Sequence, residues 1–266
     1  MAHPYLPEFP LYCKDSANKV KIDMLKLAEK VVVITGANQG IGKGIAKACA
    51  AEGARLALCA RNAVKLEETA RELTAAGAEV LAQPVDVTSE AGVDQFFDAI
   101  VGRFGRVDIL VNNAGSFDGG RIDTVTLAAW NNVVGACLTG TFLCSRRAFA
   151  LMKDHGGGRI LNIGSISAQR PREGSGPYAA AKFGVWGLTQ ATALDGRQFG
   201  IVASCLHPGN VRVERRQGSG DESDDEPMMS TETIAEAALA MLTLPASVNM
   251  LEAIVLPVGQ LYVGRG

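Results

Sequence analysis

Residues 30–42 read "KVVVITGANQGIG". The run from Val31 to Ile34 is apolar without alternation, as in a strand buried on both faces. Gly36, Gly40 and Gly42 follow, and apolar residues then recur at helical spacing from about Ile41 to Glu52. Strand, glycine-rich turn and helix, in that order, are the setting a nucleotide loop requires. Gly36 allows the tight turn. Gly40 and Gly42 let backbone approach a pyrophosphate and helix pack on strand. The helix start supplies unpaired N–H groups and a partial positive charge.

The same unit repeats along the chain. "ARLALCA" (54–60) reads as a strand, "VKLEETARELTAAG" (64–77) as a helix and "AEVLAQPVDV" (78–87) as a strand. "SEAGVDQFFDAIVGRFG" (89–105) reads as a helix capped by Thr88 or Ser89. "VDILVNN" (107–113) is a strand, and Thr126 caps a long helix reaching about Lys153. "GRILNIGS" (158–165) is a strand, 177–198 a helix and "GIVASCLHPG" (200–209) a strand. Ser230 starts a last helix and "EAIVLPV" (252–258) gives a last strand. Alternating strands and helices predict an α/β fold of the Rossmann type. The expected sheet is parallel and doubly wound, of about seven strands with helices on both faces. At 266 residues, 47% hydrophobic and 20% charged, the chain suits a single domain over 28–266. Residues 1–27 carry three prolines and no periodicity, and read either as a loose tail or as an arm on a neighbouring subunit. The irregular stretch 209–230 reads as a lid or binding loop.

A formal net charge of −2, with no basic run, argues against nucleic acid as a partner. No apolar stretch reaches the roughly 18 to 20 residues of a membrane helix. The opening "MAHPYLPEFPLYCKDSANKVK" lacks the apolar run of a signal peptide, so a cytoplasmic protein is expected. The six cysteines, at 13, 49, 59, 137, 144 and 205, form no CxxC pair and read as free thiols. His3, His155 and His207 lie in unrelated segments, so no metal site is expected.

Five further motifs accompany the glycine turn: "DVT" at Asp86, "NNAG" at Asn112–Gly115, "NIGSIS" around Ser165, "YAAAK" from Tyr178 to Lys182, and "HPGNV" from His207 to Val211. With the spacing TGxxxGIG, they identify the chain as resembling the short-chain dehydrogenase/reductase family, over roughly residues 25–264. The resemblance is to its single-domain type of about 250 residues with a YxxxK motif. It implies a dimer or tetramer acting on a small carbonyl or alcohol. The implied cofactor contacts are Gly36, Asn38, Gln39, Gly40, Ile41 and Gly42 in the turn, Asp86 and Val87 at the adenine, Asn113, Ala114 and Gly115 after the fourth strand, and Pro208, Gly209 and Val211 beside the nicotinamide. Lys182 would hold ribose hydroxyls.

The chemistry of the Tyr–Lys pair does not need the family. Residues i and i+4 share a helix face. Tyrosine parts with its proton reluctantly at neutral pH, and an adjacent ammonium stabilises the phenolate. Tyr178 can then serve as general acid for ketone reduction or base for alcohol oxidation. Ser165, with the family's separation of 13 from Tyr178, would hydrogen-bond the substrate oxygen as charge develops.

The second strand ends "CARN", with Ala60 where NAD-preferring relatives tend to carry an acid, and Arg61 next. A guanidinium pairs with a 2′-phosphate that an acid would repel. NADP(H) is therefore favoured over NAD(H), with Gln39 leaving only one cation in evidence. Cys137, in "GACLTG", occupies the family's tetrad asparagine position, and Val213 stands where relatives often have threonine. Ser116, Phe117, Ser167, Gln169 and Met228 are the expected substrate pocket. Arg170, Arg172, Glu173 and Met229 lie nearby, the arginines either binding a carboxylate or phosphate or simply facing solvent. The expectation is an NADP(H)-dependent reductase of the 3-oxoacyl or general carbonyl type. An NAD-dependent alcohol or sugar dehydrogenase, or a dinucleotide-binding sensor or scaffold with an impaired proton relay, are the alternatives.

Overall fold

The computed structural model describes residues 25–214 and 226–262. Seven strands form one parallel sheet in the order β3-β2-β1-β4-β5-β6-β7. They are β1 Val31–Thr35, β2 Arg55–Ala60, β3 Val80–Pro84, β4 Ile109–Asn112, β5 Gly158–Ile163, β6 Ile201–Pro208 and β7 Glu252–Val255. The helices are α1 Gly40–Ala51, α2 Ala63–Ala75, α3 Glu90–Phe104, α4 Leu127–Val134, α5 Gly140–Asp154, α6 Gly176–Gly196 and α7 Thr231–Leu242.

The opening stretch explains the architecture. Side chains alternate across a strand, so Val32 and Ile34 enter one core while Val31 and Val33 enter another. The first core is closed by α1 and α7 through Ile45, Ile234 and Ala238; the second by α3 and α5 through Phe96, Phe97, Ala148 and Met152. The helices therefore cover both faces.

The strand order reverses between β1 and β4, opening the crevice at the carboxyl ends of the strands where such sheets bind ligands. That floor is tied down. Thr35 Oγ1 accepts from the N–H groups of Asn113 (3.0 Å) and Ala114 (2.9 Å), and Asn113 Nδ2 donates to the carbonyls of Thr35 and Gly36, both at 3.0 Å. Below it, Asn112 Nδ2 donates to Asn162 Oδ1 (2.8 Å) and Asn162 Nδ2 to Thr189 Oγ1 (2.8 Å), so a polar chain crosses the sheet centre, with Asn112 Oδ1 left without a partner among the described residues.

Several expectations shift. Ser89, not Thr88, caps α3, its side chain accepting from Gly92 N. Pro84 and Pro257 cannot donate to a ladder, and β3 and β7 end at or before them. Leu27 is buried and its N–H donates to Glu52 O at 3.0 Å, so the packed fold begins before residue 28; residues 1–24 lie outside the described residues, as do 215–225 of the proposed loop. The long helix is interrupted by a π turn, Gly135–Thr139. As a whole, Leu127–Asp154 is long and apolar enough to cross a membrane on length and composition, contrary to expectation. Asn131, Asn132 and Thr139 are too few to lower the apolar average. In the fold, Leu143, Cys144, Ala148 and Met152 pack beneath the sheet, while Arg146 and Arg147 pair with Glu90 and Asp98 of α3. Among the described residues Cys49, Cys59, Cys137, Cys144 and Cys205 are free and buried.

Candidate active site

The glycine turn has the strained geometry its residues permit. Gly36 and Gly40 sit at φ +65° and +55°, where only glycine is unstrained. A Cβ on Gly42 would stand 2.4 Å from Gly36 O, so helix and turn could not approach with any larger residue. Gln39 precedes α1 without a side-chain cap, and the first turn holds no acid. Its N–H groups are thus left for an anion, and Gly40 N already faces a carboxylate, Glu214 Oε1, at 3.4 Å.

The second strand delivers Arg61 to the same crevice. Asn62 caps α2 by accepting from Lys65 N, and that turn directs Lys65 Nζ onto Gln39 Oε1 at 3.1 Å. A second cation therefore meets the glycine turn from α2, which the sequence did not disclose. Asp86 is close to Arg61: its carboxyl is held below the usual range, first by the Thr88 N–H, against burial, then by the Thr88 hydroxyl and the Arg61 charge. Val87 turns inward, where Gly140 leaves room for it.

A cavity of about 890 Å³ runs from this turn to α6. Ser165, Tyr178, Lys182 and Cys137 all line it, as do Ser116, Phe117 and Ser167. Lys182 is buried and its Nζ donates to Ile163 O at 2.7 Å. Burial alone pulls its pKa down, but the facing Tyr178, Cys137 and Cys205 groups outweigh that and hold it above the ordinary lysine value. The ammonium lies 5.6 Å from the Tyr178 ring centre, close enough to support a phenolate. Phe117 meets the other side of Tyr178 edge-on at 5.1 Å. Ser165, on the cavity wall, accepts through Oγ from Ser167 N at 3.1 Å, which restricts its rotamer.

Cys137 lies in the π turn. Its carbonyl accepts from Thr141 Oγ1 at 2.8 Å, while Sγ accepts from Ser116 N at 3.4 Å and faces Ser116 O at 3.3 Å. The thiol thus braces the loop after β4 against the kinked helix.

Asn38, Gln39, Ile41, Asn113, Ala114, Gly115, Pro208, Gly209, Val211 and Val213 also reach the cavity wall; Gly42, Asp86 and Val87, expected as cofactor contacts, do not line it. Two expected substrate residues are corrected. Gln169 turns away from the cavity, donating to Glu252 Oε1 and accepting from the Tyr262 hydroxyl. Met228 lies outside the wall because its neighbour Met229 is drawn into the core by paired backbone bonds with Asn210 and Arg212. In their place Arg172 and Asn210 line the cavity. Arg172 Nη2 and Asn210 Nδ2 both donate to Glu226 Oε2 at 2.6 Å. The loops after β4 and β5 are joined at the rim, Gly120 N donating to Gly174 O at 2.8 Å.

The family model for short chain dehydrogenases matches residues 30–224. An uncharacterized oxidoreductase of Staphylococcus epidermidis is 30% identical over 235 residues, covering 88% of this chain and all of that protein. Among solved structures, an alcohol dehydrogenase from the archaeon Thermococcus sibiricus complexed with 5-hydroxy-NADP is 31% identical, with a TM-score of 0.79 over 87% of this chain and 97% of that one. A variant of the actinorhodin polyketide ketoreductase with NADPH is also 31% identical, with a TM-score of 0.80 over 86% and 97%.

Proposed function

The chain belongs to the short chain dehydrogenase family, and on that premise we propose that this oxidoreductase uses NADP(H) to interconvert a ketone and a secondary alcohol. The observation that carries the reading is the convergence of Ser165, Tyr178 and Lys182 on one cavity that continues to the glycine turn.

The residues present suit a phosphorylated dinucleotide. The uncapped start of α1 takes the pyrophosphate, and Arg61 with Lys65 takes a 2′-phosphate. When bound, the nicotinamide supplies or accepts the hydride. Ser165 Oγ holds the substrate oxygen, Tyr178 gives it a proton on reduction or takes one on oxidation, and Lys182 keeps the phenolate stable between turnovers. Phe117 gives the substrate an apolar wall next to the tyrosine. The Thermococcus sibiricus and actinorhodin relatives, seen with 5-hydroxy-NADP and NADPH, support this cofactor. Leu127, Phe142, Phe183 and Leu194 are exposed on α4, α5 and α6, which supports burial against further copies of the chain.

The test is to measure NADPH and NADH oxidation over β-ketoesters, diketones, quinones, sugars and steroids. NADPH-dependent reduction of at least one ketone is expected. Tight NADPH binding with no turnover across the panel favours a sensor or scaffold instead.

A further inference from the structure

The ladder between β5 and β6 ends at a proline. Gly164 N still donates to Leu206 O at 2.7 Å, but Pro208 has no N–H to carry the pairing on. One residue later the main chain of Ser165 meets an imidazole. His207 Nδ1 lies 3.2 Å from Ser165 N and 2.9 Å from Ser165 O, and His207 is fully buried. Glycine at 164 makes this possible, since a Cβ there would stand 2.6 Å from Nδ1 and 2.8 Å from Cε1 of that ring. Trp186 packs edge-on against the same ring at 5.7 Å.

The far side of the ring faces a carboxylate. His207 Nε2 is 3.4 Å from Glu252 Oε1 and makes no hydrogen bond among the described residues. That carboxylate oxygen accepts from Gln169 Nε2, whose own oxygen accepts from Tyr262. We propose that His207 is a positioning residue that sets the place of Ser165 at the end of β5. The inference rests on the reading of Ser165 as the group that holds the substrate oxygen.

The contact with Ser165 O is the shorter one and a carbonyl only accepts, so the proton belongs on Nδ1, which donates to Ser165 O. The titratable groups facing the ring are Glu252 from β7, Lys182 from α6 and Cys205 from β6. Burial, with Lys182, opposes charging; the Ser165 contact and Glu252 favour it; the balance lies below the ordinary imidazole value. A second proton would fall on Nε2, facing Glu252, and would leave the Nδ1 donor to Ser165 O in place. The brace should therefore survive acidification, and His207 should act on kcat rather than on cofactor KM at every pH.

The experiment compares wild type, His207→Leu and His207→Asn with NADPH and ethyl 3-oxobutanoate across pH 5–8, alongside nitrogen-15 NMR of the wild-type imidazole. Asn offers, in Nδ2, a donor near the Nδ1 position that does not titrate. His207→Leu should lose about 100-fold in kcat, the scale of an ångström's misplacement, with KM for NADPH unchanged. His207→Asn should recover to within a few-fold, with the pH profile of wild type. The ring should carry a proton on Nδ1. A leucine variant as fast as wild type, a folded asparagine variant as slow as the leucine one, or a ring without a proton on Nδ1 overturns the proposal. If wild type reduces no ketone in the panel, the catalytic reading of Ser165 fails, while the imidazole tautomer and the Ser165 amide shift in His207→Asn still decide the bracing.

Discussion

Lys65 Nζ donates to Gln39 Oε1 across 3.1 Å, joining the first turn of α2 to the glycine turn before α1. On the proposed reading, Arg61 on the cavity wall and Lys65 are the cations that take the 2′-phosphate. Charge-assisted hydrogen bonds contribute about 1.5–3 kcal/mol each, so Arg61→Ala or Lys65→Ala should raise KM for NADPH by roughly tenfold or more. KM for NADH should hardly move. Steady-state kinetics with both cofactors checks this, and equal effects on the two would remove the phosphate assignment.

On the proposed mechanism, removing the Tyr178 hydroxyl removes the proton donor and little else, since the ring keeps its contact with Phe117. Tyr178→Phe should lower kcat by about 100-fold to 10,000-fold while NADPH affinity, read by fluorescence titration, stays within a factor of a few. Retained turnover would assign proton transfer elsewhere.

Cys137 Sγ meets both the N–H and the carbonyl of Ser116. An asparagine amide can make the same two contacts more strongly, and the carbonyl at this position is held by Thr141 Oγ1 rather than by the side chain. Cys137→Asn should leave activity unchanged or raise it. Cys137→Ala leaves Ser116 N without that partner and should cost about 1 kcal/mol of stability, together with some turnover. Thermal unfolding and kcat on the same preparations separate the two effects.

Glu226 occupies the two donors that Arg172 and Asn210 present to the cavity. Glu226→Gln takes away the negative charge and leaves Arg172 able to attract an anionic substrate. The variant should lower KM for a 3-oxo acid severalfold relative to its ethyl ester. An unchanged ratio would place Arg172 in a purely structural role.

Glu72 on α2 bridges Lys43 (2.7 Å) and Lys47 (2.6 Å) on α1, and their hydrogen bonds push its pKa down to about 2. Because the folded value lies below that of the unfolded chain, the contribution is present above about pH 4.3 and is lost as pH falls toward 2. The site is half exposed, so screening keeps it to within about 1 kcal/mol. Glu72→Gln should lower Tm slightly at pH 7 and low salt, and not at pH 2.5 or in high salt.

The glycine turn, the alternating strands and Tyr178–Lys182 were readable because each is a local pattern: one strand, one turn, one helix face. The family resemblance came from the same local motifs. Lys65 went unread because its contact crosses from α2 to the α1 turn, and no spacing rule records that. Gln169 and Met228 were placed wrongly for a related reason. Both lie in loops, where the direction of a side chain depends on what it meets, and they meet Glu252 and the Met229 core contact. His207 was read only as part of a motif, since its burial between Ser165 and Glu252 exists only after β5, β6 and β7 are assembled.

The clasp between Gly120 and Gly174 makes the loops after β4 and β5 a single mechanical part. A Cβ on Gly119 would stand 2.4 Å from Gly174 O, so the two strands of that rim are matched to each other at the backbone. Anyone redesigning this enzyme's selectivity by loop grafting should transplant both segments from one donor, because a chimaera carrying only one inherits half a joint.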